Sequence, residues 1–153
     1  MQEEKDYTEV PQHIVAESEN KKAKRRKTLP ELPVYRGSAN MKFIITKVMV
    51  GAPRKFAKFF DEMIITASEV SKSIGLADNS TRNWEERVWY INCAIVLTYN
   101  IRNDFKILQR LNVIGRDEYN KASALAKSIV AQLVAWRDCT GNRGANLIDS
   151  NQL

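Results

Sequence analysis

The feature that most constrains the fold is a run of apolar residues at heptad spacing within residues 56–74. Six apolar side chains recur there at intervals of four, three, four, three and four: Phe56, Phe60, Met63, Ala67, Val70 and Ile74. On an α-helix this spacing places them along one stripe, which has to pack against other helices to leave water. The run therefore predicts a bundle of helices.

Three further segments carry helical apolar patterns. In residues 35–50 the apolar positions are Tyr35, Ala39, Phe43, Ile44, Val48 and Met49. In residues 82–111 they are Trp84, Val88, Ile91, Ile95, Ile101, Phe105 and Leu108. In the last segment they are Tyr119, Ala122, Ala126, Ile129, Leu133 and Trp136. No run shows the period-two alternation of a half-buried strand. Short connections make consecutive helices antiparallel, so the predicted fold is an all-α, up-down-up-down four-helix bundle.

Helix-breaking residues separate these patterns. Gly51 suits the end of the first helix, and Pro53 suits the first turn of the second. The stretch from Gly75 to Ser80 is expected to close the second helix, with Asn79 or Ser80 capping the third.

The third pattern is apolar on more than one face. Cys93, Ala94, Val96 and Leu97 widen its stripe in mid-helix. A helix that is apolar nearly all round is either central in its domain or buried against a second subunit. An aspartate at Ile95 or Leu97 should therefore break folding or assembly.

Composition divides the chain into three parts. Residues 1–31 hold few large apolar side chains and are interpreted as a flexible charged tail. The four-helix bundle is predicted for residues 32–139. Residues 140–153 contain glycines, Asn and Ser without a continuing stripe, so we expect a frayed C-terminal tail.

The positive charge belongs to the bundle. The chain has a net charge of +6, but residues 1–31 are balanced, with seven basic and seven acidic side chains, whereas residues 32–153 have 17 against 11. A basic domain favours polyanionic partners, although a solvated charged face is the alternative.

Residues typical of catalysis are scarce. The single histidine is His13, in the tail, and neither a phosphate-binding glycine loop nor a GxSxG motif occurs. Cys93 and Cys139 form no CxxC pair, which fits a reducing setting. The acidic pairs, Asp61/Glu62, Glu85/Glu86 and Asp117/Glu118, are sequence neighbours whose side chains diverge by about 100° on a helix. We expect neither an enzyme nor a metal or cofactor site.

A row of cations provides the main candidate site. Arg102, Lys106 and Arg110 lie four residues apart, so they follow one edge of the third helix. Like charges at this spacing repel, which a polyanion would offset. Two alternatives stay open: Asp104 and other acids neutralise the row, or the cations serve the negative end of the helix.

Two other basic groups are candidates. Arg54, Lys55 and Lys58 stand near the start of the second helix, where cations are unfavourable and where backbone N–H groups could hold a phosphate. In the tail, a basic cluster is interpreted as an auxiliary tether for nucleic acid, with plain solubility as the alternative: Lys21, Lys22, Lys24, Arg25, Arg26 and Lys27.

Nothing in the sequence predicts export or a membrane. The first ten residues, MQEEKDYTEV, are acidic and polar, and no window is long and apolar enough to span a bilayer. The expected location is the cytoplasm.

Short motifs resemble a known family of small bacterial four-helix bundles. They are ELPVYR at residues 31–36, PRKF at 53–56, the Asn79-Ser80 break and LVAW at 133–136. The family comprises the proteins encoded in intervening sequences of 23S rRNA genes and the accessory variability determinant, Avd, of diversity-generating retroelements. The resemblance covers about residues 31–138 and is closest to Avd. Two family features are missing. The glycine that often follows the aromatic residue of the second helix is absent from FFDE at residues 59–62, and the family's Gly-Trp near the end of the fourth helix is Ala135-Trp136 here.

The resemblance to Avd implies a function. It implies a barrel-shaped homopentamer with a basic surface that binds nucleic acid, RNA or DNA, and that associates with a retroelement reverse transcriptase. Such a protein assists synthesis of mutagenic cDNA from a template RNA. The alternative within the family is a bundle of the rRNA intervening-sequence type, with a structural or interaction role and no polymerase partner.

Overall fold

A computed structural model describes the backbone of residues 25–151 and the side chains of residues 25–144. Four α-helices make up most of it: α1 (Pro33–Gly51), α2 (Ala57–Asn79), α3 (Trp84–Arg110) and α4 (Arg116–Asn151). Short 3₁₀ turns at Leu29–Glu31 and Arg54–Phe56 precede α1 and α2. The described residues contain no strand, and the predicted all-α four-helix fold is confirmed.

The helices pack in sequence as an antiparallel ring. Each contacts the next along the chain, and α1 closes the ring against α4. The loops therefore alternate between two ends. One end, which we call the basal end, carries the α1–α2 and α3–α4 loops; the other, the tail end, carries the α2–α3 loop and the start of α1.

The heptad seam of α2 is confirmed as a core stripe. Phe60, Met63, Ala67, Val70 and Ile74 are all buried, and they meet the buried stripes of the neighbouring helices. Those stripes include Ile91, Ile95, Ile101, Phe105 and Leu108 of α3 and Ala122, Ala126, Ile129 and Leu133 of α4.

The predicted stripe of α1 is only partly correct: Tyr35, Ile44, Val48 and Met49 pack against the core, but Ala39 and Phe43 do not. Phe43 lies on the outside of the bundle, 68% exposed, while Met41 and Ile45 are buried. The buried face also passes through Ser38, whose hydroxyl donates to the carbonyl of Tyr35 and lies 2.8 Å from the Ser71 hydroxyl. Counting apolar residues alone misses a face that includes a serine whose hydrogen bonds are satisfied.

The α2–α3 connection differs from the prediction. Helix α2 continues through Gly75 and ends at Asn79, and neither Asn79 nor Ser80 caps α3. The cap is Asn83, whose Oδ1 accepts a 3.0 Å hydrogen bond from the backbone N–H of Glu86. A cap has to lie directly before the first turn, and α3 begins at Trp84.

Helix α4 runs well past the predicted end at Cys139. Thr140 and Gly144 are buried, and Gly144 lies against the ring of Trp84. Glycine weakens an isolated helix, but here its missing side chain lets α4 approach α3 closely. Of the two glycines that indicated a frayed tail over residues 140–153, Gly144 therefore permits a helix contact.

Part of the predicted tail packs on the bundle. Arg26 pairs with Asp78 at 3.0 Å, Arg25 pairs with Glu31, and Leu29 lies beside Gly75. Thr28 donates its backbone N–H to the Glu31 carboxylate at 2.7 Å, which caps the first 3₁₀ turn and lowers the pKa of Glu31. His13 and the rest of residues 1–24 lie outside the described residues.

The hydropathy of the helices bears on whether one of them could cross a membrane. Within the described residues, none of the helices combines the length and the apolar character that crossing a bilayer would require.

Candidate nucleic-acid interface

The structure places Arg102 on the side of α3 that faces α4, and Lys106 and Arg110 follow it toward the end of the helix. Arg102 is half-buried, and its Nε donates a 3.0 Å hydrogen bond to the Ser123 hydroxyl of α4. Lys106 and Arg110 are exposed. Since residues four apart rotate by about 40° around a helix, the row turns from the α4 contact toward solvent. Arg102 is thus the positioned member of the row.

A cleft between α3 and α4 adds two functional groups to Arg102. It has a volume of about 190 Å³, and its lining includes Tyr99, Arg102 and Lys127. We call this the α3–α4 groove. Ala126, Val130 and Ala131 complete its lining. One aromatic ring and two cations therefore share a single depression.

Sequence reasoning missed Tyr99 and Lys127. Tyr99 stands three residues before Arg102, so helical spacing could have placed it beside that arginine. Lys127 comes from another helix, and only the register of α3 against α4 brings it to the groove. That register follows from core packing, which a single helix pattern does not contain.

The alternative in which Asp104 neutralises the row has no ion pair to support it in the described residues. Asp104 lies half-buried on the opposite edge of α3, toward α2. Burial, and after it the carboxylate of Glu62 on α2, raises the pKa of Asp104. Within residues 25–144 the ion pairs are Arg25–Glu31, Arg26–Asp78 and Arg137–Asp138, so no described acid pairs with the row.

Arg54, Lys55 and Lys58 lie apart from the groove. All three are exposed at the basal end, where α2 begins and α3 ends. Residues 54–56 form a 3₁₀ turn, and the Lys55 ammonium sits 5.3 Å from the centre of the Phe56 ring. Antiparallel packing places this group at the same end of the bundle as Arg110. Phosphate binding there stays a prediction.

The described part of the tail cluster, residues 25–27, is at the other end. Arg25 and Arg26 are engaged in ion pairs, and Lys27 is exposed. Lys21, Lys22 and Lys24 lie outside the described residues. The pair between Arg26 and Asp78 fixes the point where the basic segment meets the bundle, at the end of α2.

The outer face of α3 carries an apolar stripe. Trp89, Val96 and Ile107 follow each other at intervals of seven and eleven residues, which returns them to one side of the helix. They are 62%, 58% and 44% exposed, and Leu111 continues the stripe. Of the residues that widen the stripe of α3 in mid-helix, Ala94 is buried and Leu97 packs against the core, whereas Val96 lies on the outer face. Burial of this outer face against a second subunit stays a prediction.

Groups that could support metal or thiol chemistry are not assembled in the described residues. No three His, Cys, Asp or Glu side chains converge on a point there. Cys93 is half-buried on α3, and Cys139 is exposed on α4.

Comparison with known proteins identifies no relative. No protein-family model matches the chain, and no curated protein matches its sequence. The molecule is thus placed as a four-helix, all-α protein by its structure.

Proposed function

We propose that this protein is a non-enzymatic accessory protein that binds nucleic acid through the α3–α4 groove. The observation that carries the proposal is the joint placement of Tyr99, Arg102 and Lys127 around one cleft. Single-stranded nucleic acids are bound by this combination, in which cations hold phosphates and an aromatic ring stacks on a base. Lys106 and Arg110 continue the positive surface toward the basal end.

The pre-positioning of Arg102 supports specific use of the groove. Its Nε bond to Ser123 orients the guanidinium, while the two terminal nitrogens stay available for a phosphate. Holding a long side chain in place beforehand lowers the entropy lost when a ligand binds. A merely solvated arginine would have no need of such a bond.

The resemblance to Avd gives this activity a context. In that context the bound strand is template RNA or cDNA, and the partner is a reverse transcriptase of a diversity-generating retroelement. The apolar stripe of α3 supports self-association, because large apolar patches on a surface are typical of protein interfaces. In a homopentamer, five grooves would add up to one multivalent basic surface.

The proposal is tested by fluorescence anisotropy of a labelled single-stranded RNA. One variant carries Arg102→Gln, Lys106→Gln and Lys127→Gln. The matched control removes three exposed cations of α1, with Arg36→Gln, Lys42→Gln and Lys47→Gln. Both lose the same charge, so a general electrostatic attraction would weaken equally in the two.

We expect the groove variant to lose at least tenfold in affinity and the α1 variant to stay within about threefold of the parent. Equal losses would refute a groove-centred interface. Unchanged binding in both variants would place the interface elsewhere on the protein. No binding by the parent would favour the intervening-sequence type of bundle with no nucleic-acid role.

The partner claims need a separate experiment. Co-expression with a retroelement reverse transcriptase, followed by affinity capture, should recover the complex from the parent chain. Sedimentation velocity measures the subunit number independently, and a monomer at micromolar concentration would contradict the pentamer.

A further inference from the structure

The tail end of the bundle has two adjoining clefts that the nucleic-acid groove does not involve. The larger has a volume of about 500 Å³ and the smaller about 170 Å³. Thr81 and Arg87 line both, so the clefts meet at these two residues. The larger one falls within the size range of small-molecule sites, about 300–1,000 Å³.

Arginine dominates the charge of the two clefts. Four arginines line them, against a single aspartate: Arg26 and Asp78 in the larger cleft, Arg82 and Arg143 in the smaller, and Arg87 in both. Asp78 already accepts from Arg26 through its Oδ1 and its backbone carbonyl, at 3.0 and 2.8 Å. The charge of Asp78 is therefore largely offset by Arg26, and the other three arginines leave the two clefts with an excess of positive charge.

Arg87 is held rigidly at the junction. Its Nε donates a 3.0 Å hydrogen bond to the carbonyl of Ala77, and its guanidinium lies 5.8 Å from the centre of the Trp136 ring. Burial lowers the pKa of Arg87; the charge of Asp78 opposes this shift, and the charges of Arg26 and Arg143 act with it. Within the described residues no carboxylate forms an ion pair with Arg87. A half-buried guanidinium that shares its clefts with three other arginines and one aspartate, itself paired with Arg26, favours an anionic ligand.

The remaining lining matches a phosphate attached to an aromatic group. Thr81 and Thr140 supply hydroxyl groups, whereas the Ser80 hydroxyl already donates to the carbonyl of Leu76. Each cleft has a tryptophan in its wall, Trp136 in the larger and Trp84 in the smaller. Arginine recognises phosphate through paired N–H donors, and indole rings pack against flat bases.

We propose that the paired clefts at the tail end form a binding site for a nucleotide phosphate, with Arg87 at its centre and Arg82 and Arg143 as further ligands. The Arg26–Asp78 pair borders the site and controls its charge. The phosphate belongs either to a free nucleotide or to a nucleotide within a strand. The site is separate from the α3–α4 groove and does not depend on it.

The test is isothermal titration calorimetry on the full chain with three probes: pyrophosphate, adenosine triphosphate and an eight-nucleotide single-stranded RNA. The main variant is Arg82→Gln with Arg143→Gln, since neither side chain holds the bundle together through a hydrogen bond to another described residue. Arg137→Gln is the local control, because Arg137 lies nearby on α4 but bonds Asn92 and Asp138 and lines neither cleft.

We expect the double variant to bind at least one probe ten times more weakly or worse, with the Arg137 control unchanged. Asp78→Asn should bind several times more tightly, because it removes the competing carboxylate. Losses for pyrophosphate and the triphosphate identify a free ligand, and a loss for RNA alone identifies a strand.

The proposal is overturned if no probe binds, or if the double variant binds all probes as the parent does. In the latter case Arg87 serves only to cap the end of α2 through Ala77. Thermal unfolding of each variant shows whether a binding loss reflects misfolding. The groove variant described above keeps its calorimetric binding of pyrophosphate, which separates failure of this site from failure of the groove.

Discussion

Docking of the C-terminal part of α4 can be tested with two glycines of the same helix. A Cβ added at Gly144 would lie 2.7 Å from Cγ of Trp84 and closer still to two other ring carbons. A Cβ added at Gly141 would meet nothing within 4 Å. The substitutions Gly144→Ala and Gly141→Ala are therefore chemically identical but differ in their surroundings.

The two changes should alter the free energy of unfolding in opposite directions. Replacing a mid-helix glycine by alanine stabilises by about 0.5–1 kcal/mol, which is the whole effect expected at Gly141. At Gly144 the same gain is opposed by the overpacking of a rigid indole against helix backbone, which costs about 1–3 kcal/mol. The net loss there is about 1 kcal/mol, since the clash exceeds the helix propensity.

The assay is thermal unfolding followed by circular dichroism. For a chain of this size, 1 kcal/mol shifts the midpoint by about 2–4 °C, so Gly141→Ala should melt higher than the parent and Gly144→Ala lower. Adding Trp84→Ala to Gly144→Ala should remove the penalty of the alanine. A stabilising effect of Gly144→Ala would refute the docking, because an undocked helix gains from alanine at either position.

Two further predictions concern α3. Burial and Glu62 raise the folded-state pKa of Asp104, so the charged carboxylate opposes folding, and Asp104→Asn should raise the unfolding midpoint at neutral pH. The gain in midpoint over the parent should grow as pH rises from the unfolded-state pKa to the folded-state pKa and vanish in acid, which unfolding midpoints measured across pH will show. Ile95→Asp should cost several kcal/mol and unfold the bundle, because Ile95 is only 8% exposed. By contrast, Val96→Asp on the exposed face should keep the helical circular dichroism spectrum and change only the sedimentation coefficient. A folded Ile95→Asp protein, or an unchanged oligomer with Val96→Asp, would contradict the roles of the two faces.

The sequence predicted those parts of the fold that depend on one helix at a time. The stripes of α2 and α4 are repeated at regular spacing, and nearly all their residues are buried as expected. The predicted stripe of α1 was partly wrong because the core face of this helix includes Ser38, whose hydroxyl is hydrogen-bonded to Tyr35 and Ser71. The predicted end of α4 was wrong because the low helix propensity of Gly144 indicated a frayed tail, whereas the packing of Gly144 against Trp84 favours a continued helix.

The candidate site shows the same limit. The cation row on α3 could be recognised from its spacing alone, but Lys127 joins it from α4 through tertiary packing. The arginines of the tail end come from four separate segments, and no local pattern connects Arg26 with Arg143. Charges that converge from distant parts of a chain become visible only once the helices are assembled.

The central claim is that the α3–α4 groove holds a strand by both stacking and charge. The most direct measurement is the dependence of RNA affinity on salt for the parent, for Tyr99→Leu and for the variant lacking Arg102, Lys106 and Lys127. We expect Tyr99→Leu to bind about 5- to 150-fold more weakly with an unchanged slope, since stacking contributes about 1–3 kcal/mol per base. The charge variant should show a slope shallower by about 2, because three phosphate contacts are lost. If Tyr99→Leu bound as the parent does and the charge variant kept the parent's slope, the groove would not be the nucleic-acid interface.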